Sequence, residues 1–87
     1  MELRKPTSRI KRILADNILC LRKQRGLSQE EFAEMCGLHR TYIGAVEREE
    51  RNVTLSTLEA IAFALEIDVP TLLSEHPDQK GKRGQGS

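Results

Sequence analysis

The sequence predicts an all-α fold, a bundle of five helices, on three observations. Apolar residues recur every three or four positions through most of the chain. Residues suited to starting and stopping helices bound those stretches, with Ser28, Ser56 and Asp68 before them and Gly26 and Gly37 after. No segment alternates apolar and polar residues as a strand would.

The first helix is expected from Arg9 to Arg25. Ile10, Leu14, Ile18 and Leu21 fall on one stripe, with Ile13 beside it. Gly26 can close this helix, and Arg22, Lys23 and Arg25 fill its last turn, where the helix dipole favours cations. The second helix starts at Ser28, which forms a capping box with Glu31. Phe32, Ala33 and either Cys36 or Met35 point inward, and Gly37 ends it. The third runs from His39 to Arg48 with Ile43 and Val46 inward, followed by the polar loop "EERN". The fourth opens on a second capping box, Ser56 with Glu59, and buries Leu58, Ile61, Ala62 and Leu65. Asp68 caps a short fifth helix that has Pro70 in its first turn and carries Leu72 and Leu73. Residues 1–8, with Pro6 and no periodicity, read as a mobile arm. Residues 9–76 form the ordered domain, and the polar, Gly-rich residues 77–87 a disordered tail.

A chain of 87 residues suffices for one small domain with a modest core. With 38% hydrophobic and 31% charged residues it reads as soluble. No apolar run is long enough for a membrane span, and the basic N-terminus lacks the apolar stretch of a signal peptide. A cytoplasmic location follows as the expectation. Cys20 and Cys36 then read as reduced, buried thiols. No Cys or His pair has zinc-site spacing, His39 and His76 lack an acidic partner in a catalytic arrangement, and no glycine-rich phosphate loop is present. We therefore expect no metal, no cofactor and no enzyme activity. The net charge is only +1, but its distribution is uneven. Arg4, Lys5, Arg9, Lys11, Arg12, Arg22, Lys23 and Arg25 crowd the first third, opposed there by Glu2 and Asp16. A nearly neutral protein can still present one basic face.

The second and third helices are short and joined by a glycine-containing turn, the form of a helix-turn-helix unit. Such a unit needs a small residue where the helices cross, and Ala33 supplies it. Its turn needs a residue that tolerates a left-handed backbone, and Gly37 does. Phe32, Cys36, Leu38, Ile43 and Val46 supply the apolar residues that fix the interhelical angle.

On these features the chain resembles the helix-turn-helix repressors of the lambda/434 repressor and Cro type, the XRE family. The resemblance covers roughly Ile10 to Leu73, through "LRKQRGLSQEEFAEMCGLHRTYIGAVERE" and "LSTLEAIAFALEIDVPTLL". Within that family, "RTYI" and "ERxxRNxT" are most like the controller proteins of restriction–modification systems. The resemblance implies a dimeric, sequence-specific regulator that binds double-stranded DNA. The front of the third helix would enter the major groove. Arg40 would read guanine by a bidentate fork, Thr41 would contact a base beside it, and Tyr42 would pack on bases or bond a phosphate. Ala45 offers a methyl contact where some repressors carry a reading glutamine. Gln29 would bond a phosphate at the start of the second helix, and His39 at the start of the third. Arg48, Arg51, Asn52 and Thr57 would clamp the backbone. The family pattern also implies a salt bridge from Arg22 to Glu47.

The leucine-rich fifth helix suggests a homodimer through the last two helices, with Ile67, Val69, Leu72 and Leu73 at the interface. Two reading helices about 34 Å apart would then match half-sites roughly 10 base pairs apart. The acidic residues Glu30, Glu31 and Glu34 offer a surface for RNA polymerase, or simply complement the helix dipole. Two other readings share this fold: an antitoxin paired with a toxin, and a helical module that binds only protein.

Overall fold

Thr7, and not Arg9, opens the first helix in the computed structural model, which describes residues 7–76. The expected tail at 77–87 and most of the expected arm, 1–6, lie outside the described residues. Helix α1 spans Ser8–Gln24 because the Thr7 hydroxyl accepts the Ile10 N–H at 3.2 Å. Helix α2 spans Gln29–Cys36. Its capping box is complete: Ser28 accepts from Glu31 N–H, and the Glu31 carboxylate accepts from Ser28 N–H at 2.9 Å. Gly37 ends α2 at φ 72°, a left-handed conformation that Leu38 completes by donating to Ala33 O. Helix α3 spans Arg40–Glu47.

Helix α4 spans Leu55–Leu65 and corrects one expectation. Its cap is Thr54, not Ser56. The extended backbone of Thr54 lets its hydroxyl catch the Thr57 N–H at 3.2 Å, so helix begins before Ser56 is reached. Helix α5, Val69–Leu72, is a single turn capped by Asp68. Hydrogen bonds from Thr71 hold the Asp68 carboxyl below its ordinary range. Among the described residues there is no strand.

The five helices close on one core. Helix α2 packs on α3 and α4, α1 packs on α3 and α5, and α5 lies against α4. Phe32, Ile18, Ile43, Ile61, Leu65 and Leu72 are fully buried. Burying a side chain of this size contributes about 1.5–3 kcal/mol. Ala33 is buried at the α2–α3 crossing, where a larger residue would force the axes apart. Cys36 packs against the core and Met35 faces out, which resolves that pair of alternatives.

Leu72 belongs to this core and cannot serve as an interface side chain. Asn17 of α1 explains why. Its buried amide donates to Leu72 O at 2.6 Å and to Ser74 O at 2.9 Å, pulling α5 onto α1. Ile67, Val69 and Leu73 remain half-buried at the rim. The large apolar side chains that face solvent are elsewhere: Phe63 is 84% exposed, Leu55 78% and Met35 52%.

One polar cluster locks α3 to α1 and α2. Arg22 donates through Nε to Glu47 Oε2 at 2.8 Å and through Nη2 to Oε1 at 3.1 Å. Both side chains are buried. The remaining guanidinium nitrogen bonds Leu27 O, and Gln29 Nε2 donates to Glu47 Oε1 at 3.0 Å. Every part of the pair is thus satisfied, the condition under which a buried ion pair is tolerated.

Glu47→Ala should destabilise the fold by about 3–5 kcal/mol, because it strands the buried Arg22 charge. Chemical denaturation checks this, and an unchanged midpoint would refute the role. The Glu31 carboxyl is held below its ordinary value of 4.5, chiefly by the Ser28 backbone N–H and then by the Ser28 side chain. Its contribution to stability is complete above pH 4.5 and is lost as pH falls through the lowered value. Glu31→Gln should therefore lower Tm at neutral pH and change it little in acid, which flattens the acid limb of a Tm-against-pH profile.

Candidate nucleic-acid interface

Helix α3 presents its first turn to solvent because only its other face is apolar. Ile43 and Val46 are buried, while Arg40 and Thr41 are exposed and Tyr42 and Ala45 half-buried. His39 caps the helix: its Nδ1 accepts the Thr41 N–H at 3.1 Å. That bond leaves Nε2 of a neutral ring as an outward donor. Sequence reasoning placed His39 at the helix start but missed this cap.

Gly44 was also missed, and it sets how closely α3 meets its neighbours. It is buried, and a Cβ there would come within 3.1 Å of Arg48 Nη1 and 3.6 Å of Gln29 Oε1. Gln29 reaches α3 through this gap to bond Glu47. One N–H of its side-chain amide is therefore engaged; the other, with the backbone N–H groups of Gln29 and Glu30, is left for an anion, while the Glu31 N–H is taken by Ser28. A glycine inside a helical pattern, one residue after Ile43, was the available signal.

The chain then reverses. Glu49 takes a left-handed φ of 63°, and Glu50 N–H returns to Ala45 O at 2.9 Å. This turn carries the 48–54 loop back alongside α3. It forms one wall of a cleft of about 650 Å³ lined by Lys11, Leu38, Tyr42, Glu50, Arg51, Asn52, Thr54 and Thr57. Arg51 lies over the Tyr42 ring, 4.8 Å from its centroid. Thr57 accepts from the Thr54 hydroxyl at 3.0 Å, which leaves the Thr57 proton for a further acceptor. Arg48 is exposed and pairs with Glu50 at 3.3 Å.

The structure thus brings Arg40, Thr41, Tyr42 and Ala45 together on one helix, with Arg51, Asn52 and Thr57 beside them. Lys11 joins the second group from α1. Its position in the basic first third was visible in the sequence, but its direction was not. Arg48 sits at the end of α3 and His39 at its start, so cationic and donor groups flank the exposed turn at both ends.

Burial pushes the Cys36 thiol up to about 11, so it is protonated at neutral pH. No group of His, Cys, Asp and Glu among the described residues could hold a metal ion. No described helix is long and apolar enough to cross a membrane. What the surface offers is a short protruding helix turn flanked by phosphate-sized donors.

Comparison with known proteins gives this arrangement a family. The helix-turn-helix family HTH_3 matches residues 21–72. The chain is 62% identical to control protein C.SmaI of Serratia marcescens over 65 residues, 75% of this chain and 77% of that one. The solved structure of the restriction–modification controller protein C.AhdI from Aeromonas hydrophila superposes with a TM-score of 0.68 at 40% identity, covering 71% of this chain and 94% of that one. The controller protein C.Esp1396I, solved as a tetramer with its natural 35-base-pair operator, superposes with a TM-score of 0.66 at 33% identity. That match covers 72% of this chain and 83% of C.Esp1396I. The chain belongs to the helix-turn-helix family of the lambda/434 repressor type, and its relatives there include the restriction–modification controller proteins.

Proposed function

We propose that this chain is a cytoplasmic, sequence-specific transcriptional regulator that binds double-stranded DNA as a homodimer and controls a restriction–modification operon. The observation that carries the reading is the exposed first turn of α3, bearing Arg40 and Thr41 and flanked by the Arg51–Asn52–Thr57 cleft. A helix of this width enters the major groove, where an Arg fork meets guanine O6 and N7. Arg40 and Thr41 read bases, Tyr42 adds a stacking or hydroxyl contact, and Ala45 adds a methyl. His39, Arg48, Arg51, Asn52 and Thr57 hold the phosphates on either side, with the first turn of α2 at Gln29 as a further donor.

The dimer face is α4 with the rim of α5. Phe63 is its centre: a largely solvated phenylalanine beside Met35 and Ile67 leaves apolar area that a second copy would cover. Val69 and Leu73 extend that face, and Leu72 supports it from inside. A two-fold pair places the reading helices on half-sites of a pseudo-palindrome. Regulation then follows from occupancy near a promoter, by blocking RNA polymerase or by touching it. Glu30 and Glu34 are exposed on α2 for such a contact, whereas Glu31 is engaged by Ser28.

Selection from random duplex DNA should enrich a two-fold symmetric site. Enrichment of no sequence would favour an antitoxin that needs its toxin, or a module that binds only protein. Arg40→Ala should cost about 1–3 kcal/mol and relax preference at one base pair per half-site, read by binding to single-base operator variants. Phe63→Asp should give a monomer mass in sedimentation with little loss of fold stability, since the side chain is exposed. Leu72→Ala should instead lower stability by about 2–5 kcal/mol. A dimeric Phe63→Asp variant would refute the interface.

A further inference from the structure

We propose that Lys11 of α1 is a DNA phosphate contact, which makes α1 a further element of the interface, outside the helix-turn-helix unit. This inference rests on the DNA-binding reading above. Lys11 stands in the first turn of α1, between Arg9 and Arg12 in sequence, and its surroundings differ from theirs. Arg9 pairs with Glu75 at 3.0 Å, and Arg12 lies 3.9 Å from Asp16, so both arginines are drawn to acids. Among the described residues Lys11 makes no ion pair with a carboxylate. It is half-buried, whereas Arg9 and Arg12 are exposed.

Two neighbouring hollows account for that burial. One is a small apolar hollow of about 110 Å³ that Lys11 lines with Leu14, Val53 and Leu58. The other is the 650 Å³ cleft that it shares with Asn52 and Thr57. A lysine that borders both lays its methylene stem along the apolar side and leaves its ammonium in the open cleft. Asn52 and Thr57 are neutral. They can orient a phosphate by hydrogen bonds, but neutral donors release no counterion. Glu50, the acid on the cleft wall, is paired with Arg48 at 3.3 Å. The Lys11 ammonium therefore supplies an uncompensated positive charge on the α1 side of the cleft. A backbone phosphate is the ligand that takes a point charge flanked by neutral donors.

The test measures binding of the selected operator, as salt is raised, by the parent protein and by Lys11→Met, Lys11→Arg and Lys23→Met. Lys11→Met keeps the apolar stem and removes the charge, whereas Lys11→Arg keeps the charge. Lys23 is exposed in the last turn of α1, about 18 Å along the helix, and lines no part of the cleft. Circular dichroism and thermal melting confirm the fold of each variant. Lys11→Met should reduce the slope of log affinity against log salt by about 0.9 per subunit and weaken all sequences alike. Preference among single-base operator variants should hold. Lys11→Arg should restore the slope, and Lys23→Met should leave it as in the parent. Neutral methylphosphonates placed one at a time along the operator then locate the contact. At one position in each half-site the substitution should weaken the parent and leave Lys11→Met unaffected. An unchanged slope with Lys11→Met overturns the proposal. An equal change with Lys23→Met overturns it too, since the effect is then one of net charge. A scan in which the parent and Lys11→Met lose affinity alike at every position excludes a direct contact. If the parent binds no DNA even at low salt, the DNA-binding reading falls first and takes this inference with it.

Discussion

The buried pair of Arg22 and Glu47 is the constraint on which the rest of the architecture depends. An eight-residue helix such as α3 has too little length to be stable alone. It holds its place because Glu47 is gripped by Arg22 from α1 and by Gln29 from α2. Arg22 reaches further, to Leu27 O in the connection between α1 and α2. One guanidinium therefore ties α1 to α3 and to the link between α1 and α2, and Gln29 adds the tie from α2. The apolar core gives the bundle its stability, but a hydrophobic contact tolerates rotation of a short helix. A bidentate ion pair does not, and the orientation of Arg40 and Thr41 is inherited from it.

The two ends of α3 solve different problems. At the start, Gly37 and the His39 cap release the chain from α2 and begin a new helix within a few residues. At the end, Glu49 accepts a left-handed backbone that costs a residue with a Cβ roughly 1–2 kcal/mol. The strain is sustained by the returning bond from Glu50 to Ala45. Its result is that residues well after α3 in sequence stand next to its first turn in space.

The helices were legible because their signals are local. Ser28 with Glu31, Gly37 and Asp68 with Pro70 each mark a boundary within one turn of chain. Where two local signals competed, the sequence misled: Thr54 and Ser56 can both cap, and only the path of the preceding loop decides for Thr54. The Leu72 assignment failed for a related reason. Periodicity says that a leucine is buried, but not whether its own chain or a second one buries it. Asn17, far away in sequence, decides that question through two carbonyl bonds. The exposed residues of α3 could be placed from spacing and family pattern, whereas Gly44, Lys11 and the Arg51–Tyr42 stack depend on distances between elements.

Helix α4 has a consequence of its own. Its first turn, at Thr54 and Thr57, borders the cleft beside α3, while its second half carries Phe63. Eleven residues of helix span about 16 Å and bend little over that length. A dimer joined at Phe63 would thus transmit its geometry to the DNA through a stiff rod and not through a hinge. Such an assembly is a ruler. Adding one base pair between half-sites turns the second by roughly a tenth of a helical turn, and a rod offers no slack to follow it.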